Sequence, residues 1–259
     1  MLQLVSDVHL DVRRAPIEIR ATAPTLVVAG DVMSFTDPNY RDYMQRLFAN
    51  HRYGVYVPGN HDVWGADGPM SEVLDSMERV CASLAPRVAI MRSGDWGFDV
   101  PGTDTRVVGA TLWTHVPVEM SIVAPQLLND FRFIHRGGRD LTVEDVNAMH
   151  DVDRDWISRA ISRASLDGKS VAVVTHHAPD MALAAYNASH STDGMGVFYY
   201  CNDMSDVMRQ DGIVAWMYGH CHESRVTRLR GLRYPFVTNA MGYPNEDTGY
   251  ARGMRIEIP

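Results

Sequence analysis

Five short apolar runs punctuate the chain, and each stops on a polar or glycine-polar step. Leu2–Val5 stops at Ser6-Asp7, Thr25–Ala29 at Gly30-Asp31, and Gly54–Val57 at Pro58-Gly59-Asn60. Val171–Val174 stops at Thr175-His176, and Ile213–Met217 at Tyr218-Gly219-His220. Short runs that are apolar on both faces suit the inner strands of a covered sheet. Helical patterns lie between them, over Pro38–His51, Met70–Ala85, Val143–Ala164 and Ser205–Gln210. The stretch Asp95–Thr111 predicts two short strands about a turn at Pro101–Asp104, and the part from Arg225 onward is β-rich, with a turn at Arg230-Gly231 before Leu232–Thr238. The small, polar stretch Asn187–Gly196 is expected to form a flexible rim. Alternating strands and helices predict α/β architecture. No repeat or composition break marks a linker, so one domain over residues 1–259 is expected.

Composition narrows the class. A chain of 259 residues, 46% hydrophobic and 22% charged, can bury a large core and has the make-up of a globular protein. No apolar stretch is long enough to span a bilayer, and no basic leader precedes the first strand, so a soluble, cytoplasmic protein with no membrane partner is expected. The formal net charge of -8 argues against a protein built mainly to grip nucleic-acid backbones. Some of that acidity would be cancelled if the carboxylates hold cations. The three cysteines, Cys81, Cys201 and Cys221, form no CxxC pair and read as reduced thiols rather than a disulfide framework or structural zinc site.

The strand ends carry the chemistry. They present Asp7-Val8-His9, Gly30-Asp31, Gly59-Asn60-His61-Asp62, His176-His177 and Gly219-His220-Cys221-His222. All the polar members are oxygen or imidazole donors, and an open α/β sheet places its site at the carboxyl ends of its strands. Carboxylate and imidazole suit divalent first-row metals. In DxH and HxH, side chains at i and i+2 of an extended segment share a face and can reach one ion. A carboxylate can bridge two ions, and Asp31 stands alone in its motif. Each motif alone is weak; five in chain order, each closing an apolar strand, are specific. Either His176 or His177 can serve as the ligand on this reading.

The series DVH, GD, GNHD, THH and GHCH, from residue 7 to residue 222, resembles the calcineurin-like metallophosphoesterase superfamily. The resemblance implies a four-layer α-β-β-α sandwich of two mixed β-sheets flanked by helices, α+β by some schemes. It implies two divalent ions, with manganese favoured over iron, zinc, cobalt or nickel. One ion would take Asp7, His9, Asp31 and His222; the other would take Asp31, Asn60, His176 and His220. His61 corresponds to the family's catalytic histidine, Asp62 would orient it, and His177 would face the substrate. A hydroxide bridging the ions would attack the phosphoester in line.

The residues after Asp31 are Val32-Met33-Ser34, without the arginine of the Ser/Thr protein phosphatases in this superfamily, so that activity ranks low. Ala110–Thr114 and Leu128–Ile134, with Asn239–Tyr243 later, resemble a bacterial and phage subgroup of uncharacterised phosphoesterases, with Ala240 and Met241 departing from its pattern. Arg132 is the candidate contact for substrate phosphate, because a guanidinium matches phosphate oxygens in pairs. Trp113 and Tyr243 are aromatics at strand ends that either stack on a base or belong to the core. The expected activity is phosphodiester or phosphomonoester hydrolysis on a small, nucleotide-like ester. The alternatives are a nuclease acting on DNA or RNA ends, which the net charge disfavours, and a non-catalytic scaffold, which would need neither ligands nor His61.

Overall fold

The computed structural model describes residues 1–184 and 198–259. The expected rim Asn187–Gly196 lies outside the described residues. The first sheet has the order β11-β1-β2-β3-β4, formed by β1 (Leu2–Val5), β2 (Thr25–Ala29), β3 (Tyr53–Val57), β4 (Val88–Ile90) and β11 (Arg255–Ile256). Its strands are parallel except β11, which runs antiparallel to β1. The second sheet has the order β5-β6-β7-β8-β10-β9, formed by β5 (Phe98–Asp99), β6 (Thr105–Ala110), β7 (Ser170–Thr175), β8 (Ile213–Tyr218), β9 (Ser224–Thr227) and β10 (Phe236–Asn239). Its inner strands β6, β7, β8 and β10 are parallel, and antiparallel β5 and β9 close the edges.

Strand periodicity assigns each side chain to a layer. Leu4, Val27, Val55 and Val57 of the first sheet meet Val107, Ala172, Val174 and Met217 of the second in a dry inner core. The opposite parity of the first sheet, including Val5, Leu26, Val28 and Tyr56, packs on α2 (Tyr40–Phe48) and α3 (Met70–Ala82). In the second sheet Val108, Val171, Val173 and Trp216 pack on α6 (Val143–Leu166). The result is the expected α-β-β-α sandwich. In β8 the register shifts, so that Val171 pairs with Ile213 but Ala172 pairs with Ala215. That bulge explains why Ile213 and Trp216, of opposite parity, both face the helix layer.

Helix boundaries differ from the pattern where capping decides them. Thr142 and Asp145 form a reciprocal capping box that starts α6 one residue after the cap. The helix expected over Ser205–Gln210 is only a single 3-10 turn, Val207–Arg209. Six residues cannot offset the cost of nucleating a helix, and the Asp203 carboxylate accepts the Ser205 N–H at 3.0 Å in a local turn. Among the described residues, no helix is long and apolar enough to cross a membrane.

One carboxyl in this frame carries a testable charge cost. Asp153 of α6 is buried; it accepts the Leu112 N–H at 2.9 Å and the Ser93 hydroxyl. Burial raises its pKa from 3.8 to about 6. A folded pKa above the unfolded one means that stability is full below about pH 4 and falls as pH rises through about 6. Asp153→Asn stays neutral and keeps both hydrogen bonds, with its amide donating to the Ser93 oxygen. It is therefore expected to gain about 3 kcal/mol on the wild type between pH 4 and pH 7.5, read from paired urea melts. Parallel stability curves for the two proteins would refute this.

Candidate metal centre

The chain turns sharply where β1, β2 and β8 end. Asp7, His9, Asp31, His220 and His222 have φ of 53°, 47°, 54°, 65° and 48°. This left-handed region costs a non-glycine residue roughly 1–2 kcal/mol. Backbone bonds hold the turns: Asp7 N–H donates to Gly30 O at 2.9 Å, His9 N–H to Asp31 O at 3.0 Å, and Gly219 N–H to His176 O at 2.9 Å. The His220 N–H reaches both Asp7 carboxylate oxygens, at 2.9 and 3.1 Å. Gly30 and Gly59 are needed for clearance as well as for turning. A Cβ at Gly30 would collide with the His176 ring, and one at Gly59 with the Asp31 carboxylate.

All seven expected ligands converge. Among the described residues, three groups have donor atoms within 4.8 Å of one another: Asp7, His9 and His222; His9, Asp31 and His61; Asp31, His176 and His220. Asp31 belongs to two of them. Asn60 joins through its Oδ1, 3.0 Å from His176 Nε2, which itself lies 3.3 Å from Asp31 Oδ1. His9 Nε2 and His222 Nε2 face each other at 3.0 Å.

The electrostatics fit cations. Burial lowers the His9 pKa to about 3, against the pull of Asp31, and lowers that of His220 well below the usual range. Both are therefore neutral imidazoles with a free lone pair. Burial would also lower His176, but Asp31 beside it drives its pKa up to about 9. Burial would raise Asp31, yet His176 and His61 hold it well below the usual carboxylate range. Carboxylates, imidazoles and an amide oxygen crowded out of water form a set that divalent cations satisfy.

His61 stacks on Trp64, with ring centroids 3.4 Å apart at 27°, and meets His9 edge-on at 4.7 Å. Its Nδ1 is buried without a hydrogen-bond partner among the described residues. The expected orienting contact from Asp62 is therefore replaced by another arrangement. The Asp62 carboxylate accepts backbone N–H groups of Asp31, Val32, Met33 and Gly59 at 2.7–2.9 Å. Asp62 thus binds the turns after β2 and β3 together. Burial, with Asp31 nearby, pushes its pKa up to about 7, while the Gly59 and Met33 N–H groups pull it down.

Two expected substrate contacts lie elsewhere. Arg132 is exposed and donates to Gln126 O at 2.7 Å, so it does not line the cleft. It stands two residues after Asp130 in the short helix α5 (Asp130–Phe133), and i and i+2 of a helix point to different sides. His177 is 2% exposed, with its ring 4.2 Å from that of His220 and its Nδ1 3.4 Å from Thr111 O. His176 and His177 lie in the bend after β7, where both N–H groups donate to Thr111 O, and the His177 ring packs beside those of His176 and His220. Burial lowers its pKa to about 3. Trp113 is buried in the core.

Sequence reasoning missed Asp130 and Glu246. Asp130 Oδ1 accepts both the Asn60 amide at 2.9 Å and the Trp64 indole N–H at 2.7 Å. One oxygen thereby aims the Asn60 carbonyl and fixes the ring on which His61 stacks. Its signal is the Asn129-Asp130 pair, which the nearby arginine overshadows. Glu246 Oε2 lies 2.6 Å from His222 Nδ1 and also accepts the Tyr243 N–H at 2.8 Å. A carboxylate on the far nitrogen of a metal-facing imidazole fixes its tautomer. The Tyr243 ring lies 4.4 Å from that of His9 and 4.9 Å from that of His222. Removing such a support typically costs about 10–100-fold in activity or metal affinity, which is the loss expected for Asp130→Ala with little change in melting temperature. Unchanged steady-state kinetics and metal content would remove that role from Asp130.

The cleft has a volume of about 330 Å³ and opens between Asn60, His61, Trp64, Asp130, His220 and Tyr243. A family model for calcineurin-like phosphoesterases matches residues 4–224. An uncharacterised protein, L509, of Acanthamoeba polyphaga mimivirus is 24% identical over 285 residues, covering 100% of this chain and 96% of its own. The fold is similar to that of phosphopantetheinyl hydrolase from Mycobacterium tuberculosis, with TM-score 0.68 and 20% identity over 94% of this chain and 89% of that one. It is also similar to a dimetal phosphatase from Danio rerio, with TM-score 0.53 and 13% identity over 96% and 89% of the two chains.

Proposed function

This chain belongs to the calcineurin-like phosphoesterase family and is a metal-dependent phosphoesterase, and from that premise we propose that it hydrolyses a small, nucleotide-like phosphoester at a two-metal centre. The observation that carries the reading is the sharing of Asp31 between donor groups in one cleft. One ion would be held by Asp7, His9, Asp31 and His222, the other by Asp31, Asn60, His176 and His220. Bound there, the two divalent ions, manganese first, supply positive charge for the phosphate oxygens and acidify a water molecule. The carboxylates and the imidazoles would hold that charge in place. His61, clamped by Trp64 at the cleft, stabilises the phosphoryl transition state and passes a proton to the leaving oxygen. Asp62 keeps the turns of Asp31 and Asn60 in register, and Asp130 keeps the Asn60 oxygen and Trp64 in place. The cleft volume favours a small ester over a duplex. Two proteins of the same fold are named as a phosphopantetheinyl hydrolase and a dimetal phosphatase, which supports hydrolysis of a phosphate ester.

With manganese, the purified protein is expected to hydrolyse p-nitrophenyl phosphate or bis-p-nitrophenyl phosphate and members of a nucleotide panel, and to leave single-stranded DNA intact. Cleavage of DNA with none of the small esters touched would turn the reading to a nuclease. No hydrolysis with any divalent metal would defeat it.

A further inference from the structure

A second concavity adjoins the cleft. It has a volume of about 880 Å³, and Tyr243 and Glu246 line both. Its walls carry three guanidinium groups, Arg13, Arg20 and Arg252. Arg13 is one helical turn beyond His9 in α1 (Leu10–Arg13), and its backbone N–H donates to His9 O at 3.0 Å. Its side chain is fixed by bonds to Val8 O at 2.8 Å and Gly242 O at 2.6 Å, which leave further N–H groups unused. Among the described residues, none of these three arginines has a carboxylate within ion-pair distance, although the chain carries 32 acidic residues. Of the two acids on the groove, Glu246 is held by His222, and Glu18 is exposed. Ile17, Met241 and Tyr250 give the same groove an apolar lining.

Three unpaired guanidinium groups beside a phosphoester centre form a site for a second anion, and the apolar lining suits a flat organic body. We propose that this groove binds the leaving portion of the substrate, and that this portion carries a phosphate of its own on a nucleoside-like body. The inference rests on the reading of the centre as a phosphoesterase, since it assigns one substrate phosphate to the cleft and the other to the arginines. Arg20 and Arg252 are exposed and can be replaced without opening the core.

The test is calorimetric, on the metal-loaded full chain. The probes are adenosine 3′,5′-bisphosphate, with two phosphates, and adenosine 5′-monophosphate, with one. Wild type is expected to bind the bisphosphate at least about tenfold more tightly, as a charge-assisted pair allows. In the Arg20→Ala/Arg252→Ala double variant that advantage should collapse to within about twofold, because only the arginine contacts are gone. The metals are common to both proteins and cancel in the comparison. Equal affinity for the two probes in wild type, or an advantage that survives in the variant, would overturn the proposal. Hydrolysis of either bis-p-nitrophenyl phosphate or p-nitrophenyl phosphate by the same wild-type preparation is a separate readout. Its absence, with the bisphosphate advantage intact and arginine-dependent, would sink the phosphoesterase reading and leave the groove as a binding site for two-phosphate ligands.

Discussion

Asp31→Asn is expected to lower turnover by roughly 10³-fold or more and to reduce the bound metal, because it removes the carboxylate that two of the three donor groups share. The substitution preserves shape. The amide oxygen can still accept the His61 backbone N–H, which Asp31 Oδ1 receives at 2.9 Å, so the turn after β3 is retained. What is lost is charge. The NH₂ group would place a donor at the Oδ2 position, 4.0 Å from His9 Nε2, and the oxygen 3.3 Å from His176 would lose its negative charge. Metal analysis beside steady-state kinetics reads both effects. Wild-type turnover and two ions per chain in the Asp31→Asn variant would contradict the role given to Asp31.

His61→Ala is expected to cost roughly 10²–10⁴-fold in turnover, the usual worth of a positioned acid or base, while the protein keeps its metals. The two losses differ because the residues differ in what holds them. His61 belongs to one donor group, with His9 and Asp31, and its other neighbour is the Trp64 ring rather than a carboxylate. Loss of metal along with activity would make His61 a ligand and move it out of the proton-transfer role. Trp64 supplies a second readout, since removing the stacked imidazole changes its fluorescence whether or not turnover falls.

The layers of the fold were legible because buried parallel strands cannot hide: Leu2–Val5, Thr25–Ala29 and Ile213–Tyr218 are apolar on both faces, as two flanking layers demand. The seven converging donors were legible for a related reason. Each follows such a strand within four residues, and the strand end fixes its place in space. Less visible were features set by the direction of a side chain rather than its position in the chain. Arg132 and Asp130 are two residues apart in one helical turn, and a choice between them needs the rotation of that turn. His177 is adjacent to His176, and which of the two faces the donors is set by the bend after β7 rather than by strand alternation. Asp62 stood beside His61 in sequence, yet its carboxylate is taken by four backbone donors from two turns. Glu246 reaches His222 from 24 residues away, through a loop without a pattern of its own. The bulge in β8 was equally silent, since one extra residue in an apolar run leaves the run apolar.

The central claim is that one cleft holds two divalent ions and that phosphoester hydrolysis depends on both. The direct measurement is manganese titration of chelator-stripped protein, with bound metal and hydrolysis of bis-p-nitrophenyl phosphate and p-nitrophenyl phosphate followed together. Saturation at two ions per chain is expected, with activity rising as the second site fills. Full activity in the stripped protein, or two tightly bound ions with no hydrolysis of either ester, would contradict it.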